Sequence, residues 1–104
     1  MEDVILILST FPSIEQARQI GTVLVEKQLA ACVNLLPGVE SIYRWQGRVE
    51  TSTEVLAIIK TTAARQPDLF AALAAMHPYE IPEILTLEPS AVSPAYVKWI
   101  SEVL

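Results

Sequence analysis

Residues 74–85, AAMHPYEIPEIL, bring together the only histidine in the chain, a tyrosine and two glutamates. An imidazole followed by carboxylates is raw material for a divalent-metal site, provided the groups converge on one ion. His77 is the candidate ligand. The spacing of His77, Glu80 and Glu83 works against convergence. Pro78 pushes the residue before it out of helical geometry, so a helix containing Met76 stops there. Residues 79–83 then read as a short irregular connection, and the three groups share no helix face. The alternative is a helix-terminal histidine that satisfies carbonyls or interacts with the helix dipole.

Cys32, in Ala31-Cys32-Val33-Asn34, falls inside an expected strand. One reading is a small buried hydrophobe. The other is a thiolate nucleophile or soft-metal ligand, which needs a nearby cation or base such as His77 or Lys60. Trp45, in Tyr43-Arg44-Trp45-Gln46-Gly47-Arg48, is too polar-flanked for a core and reads as an anchor in a subunit interface or cleft. Tyr96 and Trp99 read as packing. Glu50 and Glu54 alternate onto one side of a strand and read as a solvated face.

Composition narrows the classes. The chain has 104 residues, enough for one domain spanning residues 1–104. Apolar residues make up 52%, more than one small domain readily hides, so self-association is expected. The formal charge is −5 and the basic residues stand singly, which excludes an electrostatic footprint for nucleic acid or an anionic membrane. A single cysteine rules out an internal disulfide. The start, Met1-Glu2-Asp3 before a short apolar run, lacks a basic leader and is too short to span a bilayer, so a cytoplasmic protein is expected. Gly-rich phosphate loops, paired cysteines and G-x-S-x-G elbows are missing from the sequence.

The elements that must position these residues follow from patterning. Residues 4–8 form a continuous apolar, β-prone run. Ser13-Ile14-Glu15-Gln16 has the form of a capping box, and a helical stripe runs from Ile14 to Leu24. Residues 31–36 and 39–45 form a strand broken at Pro37-Gly38. Gln46-Gly47 is a turn, and residues 48–60 return. Thr61-Thr62 can cap a second helix with stripe Leu69, Leu73 and Met76, if Pro67 lies in its first turn. Residues 84–87 form a strand, and Ser93-Pro94 opens a last helix. The order β-α-β-β-α-β plus a helix is the ferredoxin-like α+β plan, an antiparallel sheet with a long β-hairpin.

Residues 4–8 and 55–59 are apolar throughout, which implies that both sheet faces are buried. The two crossover helices of this plan cover only one. The last helix can cover part of the other, leaving the remainder to a second subunit. Each hairpin arm spans about 15 residues, or roughly 50 Å, against about 22 Å for the first helix. The 42–53 tip therefore projects, exposing Tyr43 and Trp45 to a partner.

Four stretches in register, Ala30-Ala31-Cys32-Val33-Asn34, Tyr43-Arg44-Trp45-Gln46-Gly47, Ile58-Ile59-Lys60-Thr61 and His77-Pro78-Tyr79-Glu80-Ile81-Pro82-Glu83, resemble the CutA divalent-cation tolerance family. The resemblance runs from about residue 4 to Trp99. It implies a PII-like homotrimer whose hairpins wrap neighbouring subunits, and a cytoplasmic role in copper and other divalent-cation tolerance. It also implies an inter-subunit ligand cleft with Cys32, Trp45, Lys60, His77, Tyr79 and Glu80 as candidates. Some members carry a cysteine where this chain has Ser9 and a second histidine where it has Met76. A hydroxyl is a hard, weak substitute for a thiolate, so any copper binding here is expected to be weak. No organic cofactor, nucleic-acid partner or membrane is implied. The leading expectation is a non-catalytic binding or signalling module that takes a metal ion or small ligand. The alternatives are an enzyme using Cys32 as nucleophile and a structural trimer that anchors other proteins.

Overall fold

Alternating burial makes Val4–Phe11 (β1) the hinge of the architecture. Ile5, Ile7, Ser9 and Phe11 point into the core, while Val4, Leu6 and Leu8 remain half-buried on the other side. The computed structural model describes residues 3–104. Met1 and Glu2, on which the absence of a leader was partly read, lie outside the described residues. After Ile14–Glu26 (α1) come the hairpin arms Cys32–Trp45 (β2) and Arg48–Thr62 (β3). Gln66–Met76 (α2), Leu85–Leu87 (β4) and Pro94–Val103 (α3) complete the chain. The strands form one antiparallel sheet in the order β2-β3-β1-β4, so the ferredoxin-like α+β plan is present with its extra C-terminal helix.

Local chemistry explains the boundaries. Ser13 Oγ accepts from the Gln16 N–H at 3.2 Å to start α1, as a capping box requires. Ser93 Oγ accepts from the Tyr96 N–H at 3.3 Å to start α3. Gln46 and Gly47 both adopt positive φ, 50° and 79°, the geometry of a two-residue hairpin turn. The register shifts between Leu36 and Val39, where Gly38 takes φ 78°, so Pro37-Gly38 is a bulge within one long strand. The second helix starts differently from expectation. Thr61 Oγ1 donates to the Leu29 carbonyl at 2.6 Å, and Thr62 caps only a single 3₁₀ turn, without a side-chain bond. Gln66-Pro67 then opens α2.

Helices α1 and α2 pack on the face of Ile7, Ala57 and Ile59, closing a core with Leu24, Leu69 and Leu73. Gly21 permits this closeness, since a Cβ there would stand 3.2 Å from Val33 Cγ1. The expectation that both faces are buried holds only in part within one chain. Helix α3 covers the second face beside Lys60, whose Nζ lies 5.8 Å from the Tyr96 ring centroid. The rest of that face stays open, with Leu36, Leu85 and Leu87 exposed. The hairpin tip projects as its length requires, giving a longest dimension of 45 Å and exposing Ile42 and Val49. Among the described residues, no helix is long and apolar enough to cross a membrane.

Candidate functional site

Pro78 ends α2, and His77, as its C-cap, turns extended at φ −67° and ψ 134°. That turn folds the imidazole back over the end of β1, where it stacks on Phe11 with centroids 4.6 Å apart. The Tyr79 N–H donates to Nδ1 at 3.1 Å, so the ring proton sits on Nε2, which donates to the Thr10 carbonyl at 3.0 Å. Ser9 Oγ lies 3.2 Å from the same nitrogen. Within one chain the ring thus satisfies a carbonyl of β1 from the end of α2.

Burial holds His77 below its ordinary pKa, against smaller opposing pulls from the Thr10 carbonyl and the Glu54 charge. The sign of the linkage follows. As pH falls below the unfolded value of 6.5, the unfolded chain takes up the proton first. The stability contributed by neutral His77 is thus complete above that pH and declines as pH drops through the folded value. Urea unfolding between about pH 7.5 and pH 5 should show stability falling with acid, and His77→Gln should flatten that slope. An unchanged slope in the variant would assign the acid sensitivity to other groups.

The same turn presents Tyr79 to β3. Its hydroxyl donates to Glu54 Oε2 at 2.6 Å, and burial followed by the Glu54 bond and charge raises the phenol well above its usual range. Glu54 is here a correction to the sequence reading. It was grouped with Glu50 on a solvated face, but the 79–83 connection lies over position 54 and leaves Glu50 exposed, so Glu54 is buried. Its one sequence signal was its place directly before the apolar run 55–59. Tyr79→Phe should leave a buried carboxylate without its donor and cost about 1–3 kcal/mol in urea unfolding. A loss below about 0.5 kcal/mol would mean that water replaces the hydroxyl freely.

Between the distal hairpin and the 79–83 connection lies a groove of about 630 Å³. Ile42, Tyr43 and Trp45 line one side, Glu80 and Ile81 the other, with Glu54 between them. Three of the expected cleft residues, Trp45, Tyr79 and Glu80, thus meet in one chain, and His77 lies behind Tyr79 with ring centroids 5.1 Å apart. Cys32 and Lys60 lie apart from them. They face each other across β2 and β3 on the opposite side of the sheet from the His77 ring. Six residues of β3 separate Lys60 from Glu54, roughly 20 Å. Of the two bases considered for Cys32, only Lys60 is its neighbour; the thiol itself approaches Asn34 Oδ1 at 3.7 Å.

The residues do not fit a resident metal within one chain. Among the described residues, no three His, Cys, Asp or Glu side chains converge to hold an ion. Both nitrogens of His77 are already engaged, so ligation would break one of its hydrogen bonds. Ser9 does touch His77, but it offers a hydroxyl, a hard and weak ligand for a soft ion.

Comparison with known proteins agrees with this architecture. The Thermus thermophilus divalent-cation tolerance protein CutA is 48% identical over 102 residues, covering 98% of this chain and 97% of that protein. Protein CutA of Mus musculus is 42% identical over 94 residues, 90% of this chain, which spans only 53% of the mouse protein's length. The crystal structure of CutA from Xylella fastidiosa has a TM-score of 0.94 and 44% identity, covering 97% of each chain. The family model for the CutA1 divalent ion tolerance protein matches residues 5–103, and the chain belongs to that family.

Proposed function

We propose that the chain acts as a homotrimeric, non-catalytic binding or signalling module in divalent-cation tolerance, with the groove forming one wall of an inter-subunit ligand cleft. The uncovered second sheet face carries this reading. Leu36, Leu85 and Leu87 form apolar surface beyond the reach of α3, and the hairpin extends past its own core. A neighbouring subunit buries both, and can bring its own Cys32 and Lys60 to the groove that they do not reach within one chain. Contact with copper or another divalent ion is weak and involves no resident metal, because His77 is tied down internally. The module works in the cytoplasm.

Light scattering at micromolar concentration should give three times the chain mass of 11.5 kDa, and a monomer overturns the assembly. Calorimetric titration with copper should give little saturable heat, equal in wild type and His77→Ala. Tight binding lost in that variant would make His77 a ligand after all. Cell fractionation tests the compartment, and recovery outside the cytoplasm corrects it.

A further inference from the structure

Two pairing registers meet in β2. Near the core, Val33 and Leu35 pair with Ile59 and Ala57 and pack against buried side chains. At the tip, the Gln46-Gly47 turn pairs Trp45 with Arg48, which carries Tyr43 opposite Glu50 and Val39 opposite Glu54. The two registers differ by one residue, so Pro37 and Gly38 together stand opposite the single Val55. The position suits the extra residue. β2 is an edge strand, where proline is tolerated, and Gly38 takes φ 78° with nothing within 4 Å of an added Cβ.

The bulge changes which side of the sheet the hairpin presents. β3 is continuous, so Arg48, Glu50, Ser52 and Glu54 stand on the side of Leu56, Ile58 and Lys60, away from the helices of the core. Their partners Trp45, Tyr43, Ser41 and Val39 stand there too. An unbroken strand would alternate on from Leu35 and turn those four to the helix side, offering Glu40, Ile42 and Arg44 instead. Leu36, Leu85 and Leu87 share the side of Tyr43, because they pair with Leu56, Leu8 and Leu6. The bulge thus joins the hairpin aromatics to the uncovered apolar face. This side carries charges of both signs, Arg48 and Lys60 with Glu50 and Glu54, so a second copy of the chain complements it better than a partner of one sign.

We propose that the Pro37-Gly38 bulge is the positioning element of the subunit interface: it turns Tyr43 onto the sheet side that a second copy covers, so that hairpin and open face associate as one surface. This rests on the assembly reading above.

The full chain is diluted through its trimer-to-monomer midpoint and followed by light scattering, with circular dichroism as the check on each variant's fold. Tyr43→Glu and Ile42→Glu change adjacent residues on opposite sides of one arm. Tyr43→Glu should raise the midpoint about 10-fold or more, because it buries a charge in the interface. Ile42→Glu should stay within about 3-fold, as surface substitutions do. Gly38→Val and Gly38→Asn both fit the open space at the bulge, but a β-branched residue is strained at positive φ and asparagine tolerates it. A lone hairpin sheds that strain by leaving its register, whereas assembly requires the register. Gly38→Val should therefore raise the midpoint about 10-fold, and Gly38→Asn should stay within about 3-fold. Equal loss from Ile42→Glu and Tyr43→Glu, no loss from Gly38→Val, or equal loss from Gly38→Asn overturns the proposal and leaves the trimer standing. A wild-type chain that is monomeric at micromolar concentration removes the assembly reading and this inference with it.

Discussion

Phe11→Ala should destabilise the protein by about 3–5 kcal/mol, the largest effect expected of any single truncation here. Phe11 is 1% exposed and is among the largest fully buried side chains. Its loss removes the transfer free energy of a whole aromatic ring and leaves a cavity that the surrounding sheet and helices close only in part. The ring also supports the site. It stacks under His77 at 4.6 Å, and His77 in turn fixes the Tyr79 backbone through Nδ1. Truncation should therefore loosen the Tyr79–Glu54 contact as well as the core. For a domain whose total stability is about 5–15 kcal/mol, the loss is a large fraction. Urea unfolding at fixed protomer concentration measures it, since an assembled protein's apparent stability depends on concentration. Phe11→Leu separates the two roles, because it refills most of the cavity but removes the stack, an effect of about 1 kcal/mol. If Phe11→Ala costs less than about 1 kcal/mol, the end of β1 is not the packed support described.

The second large effect is on assembly. Leu85→Asp combined with Leu87→Asp should give a folded monomer. Both leucines lie on β4, opposite Leu8 and Leu6 of β1, and are 53% and 46% exposed in the single chain. Because they are exposed, the substitutions should hardly disturb the intramolecular core. In the proposed trimer they are buried, and each aspartate would lose its water without a countercharge, repeated at every interface. The lost apolar burial alone is about 1.5–3 kcal/mol for each fully covered leucine. Light scattering should show the mass falling to one chain of 11.5 kDa, with circular dichroism unchanged. A trimer that persists at micromolar concentration would place the interface elsewhere, with the hairpin as the first alternative.

Much of the fold was legible because its signals are local. Pro78 ended α2 at Met76, Ser13 and Ser93 capped their helices, and Gln46-Gly47 turned the hairpin, each through chemistry confined to a few neighbouring residues. The sheet's open second face was also legible in part, because residues 4–8 and 55–59 carry more apolar side chains than two helices can cover. The start of α2 was not. Thr61 looked like a cap, but a carbonyl 32 residues away took its hydroxyl.

The sequence by itself thus determined the elements, their order and the projecting hairpin. Only the tertiary structure decided the site. Glu54 and Tyr79 lie 25 residues apart, and nothing local says that the 79–83 connection will cross β3 at that position rather than over Glu50. The same holds for His77, whose two nitrogens are used by Thr10, 67 positions away, and by Tyr79 nearby. Strand alternation sets which side of a sheet a residue faces, but what covers that side depends on elements distant in the chain. That is why a glutamate expected on a solvated face is instead buried against Tyr79.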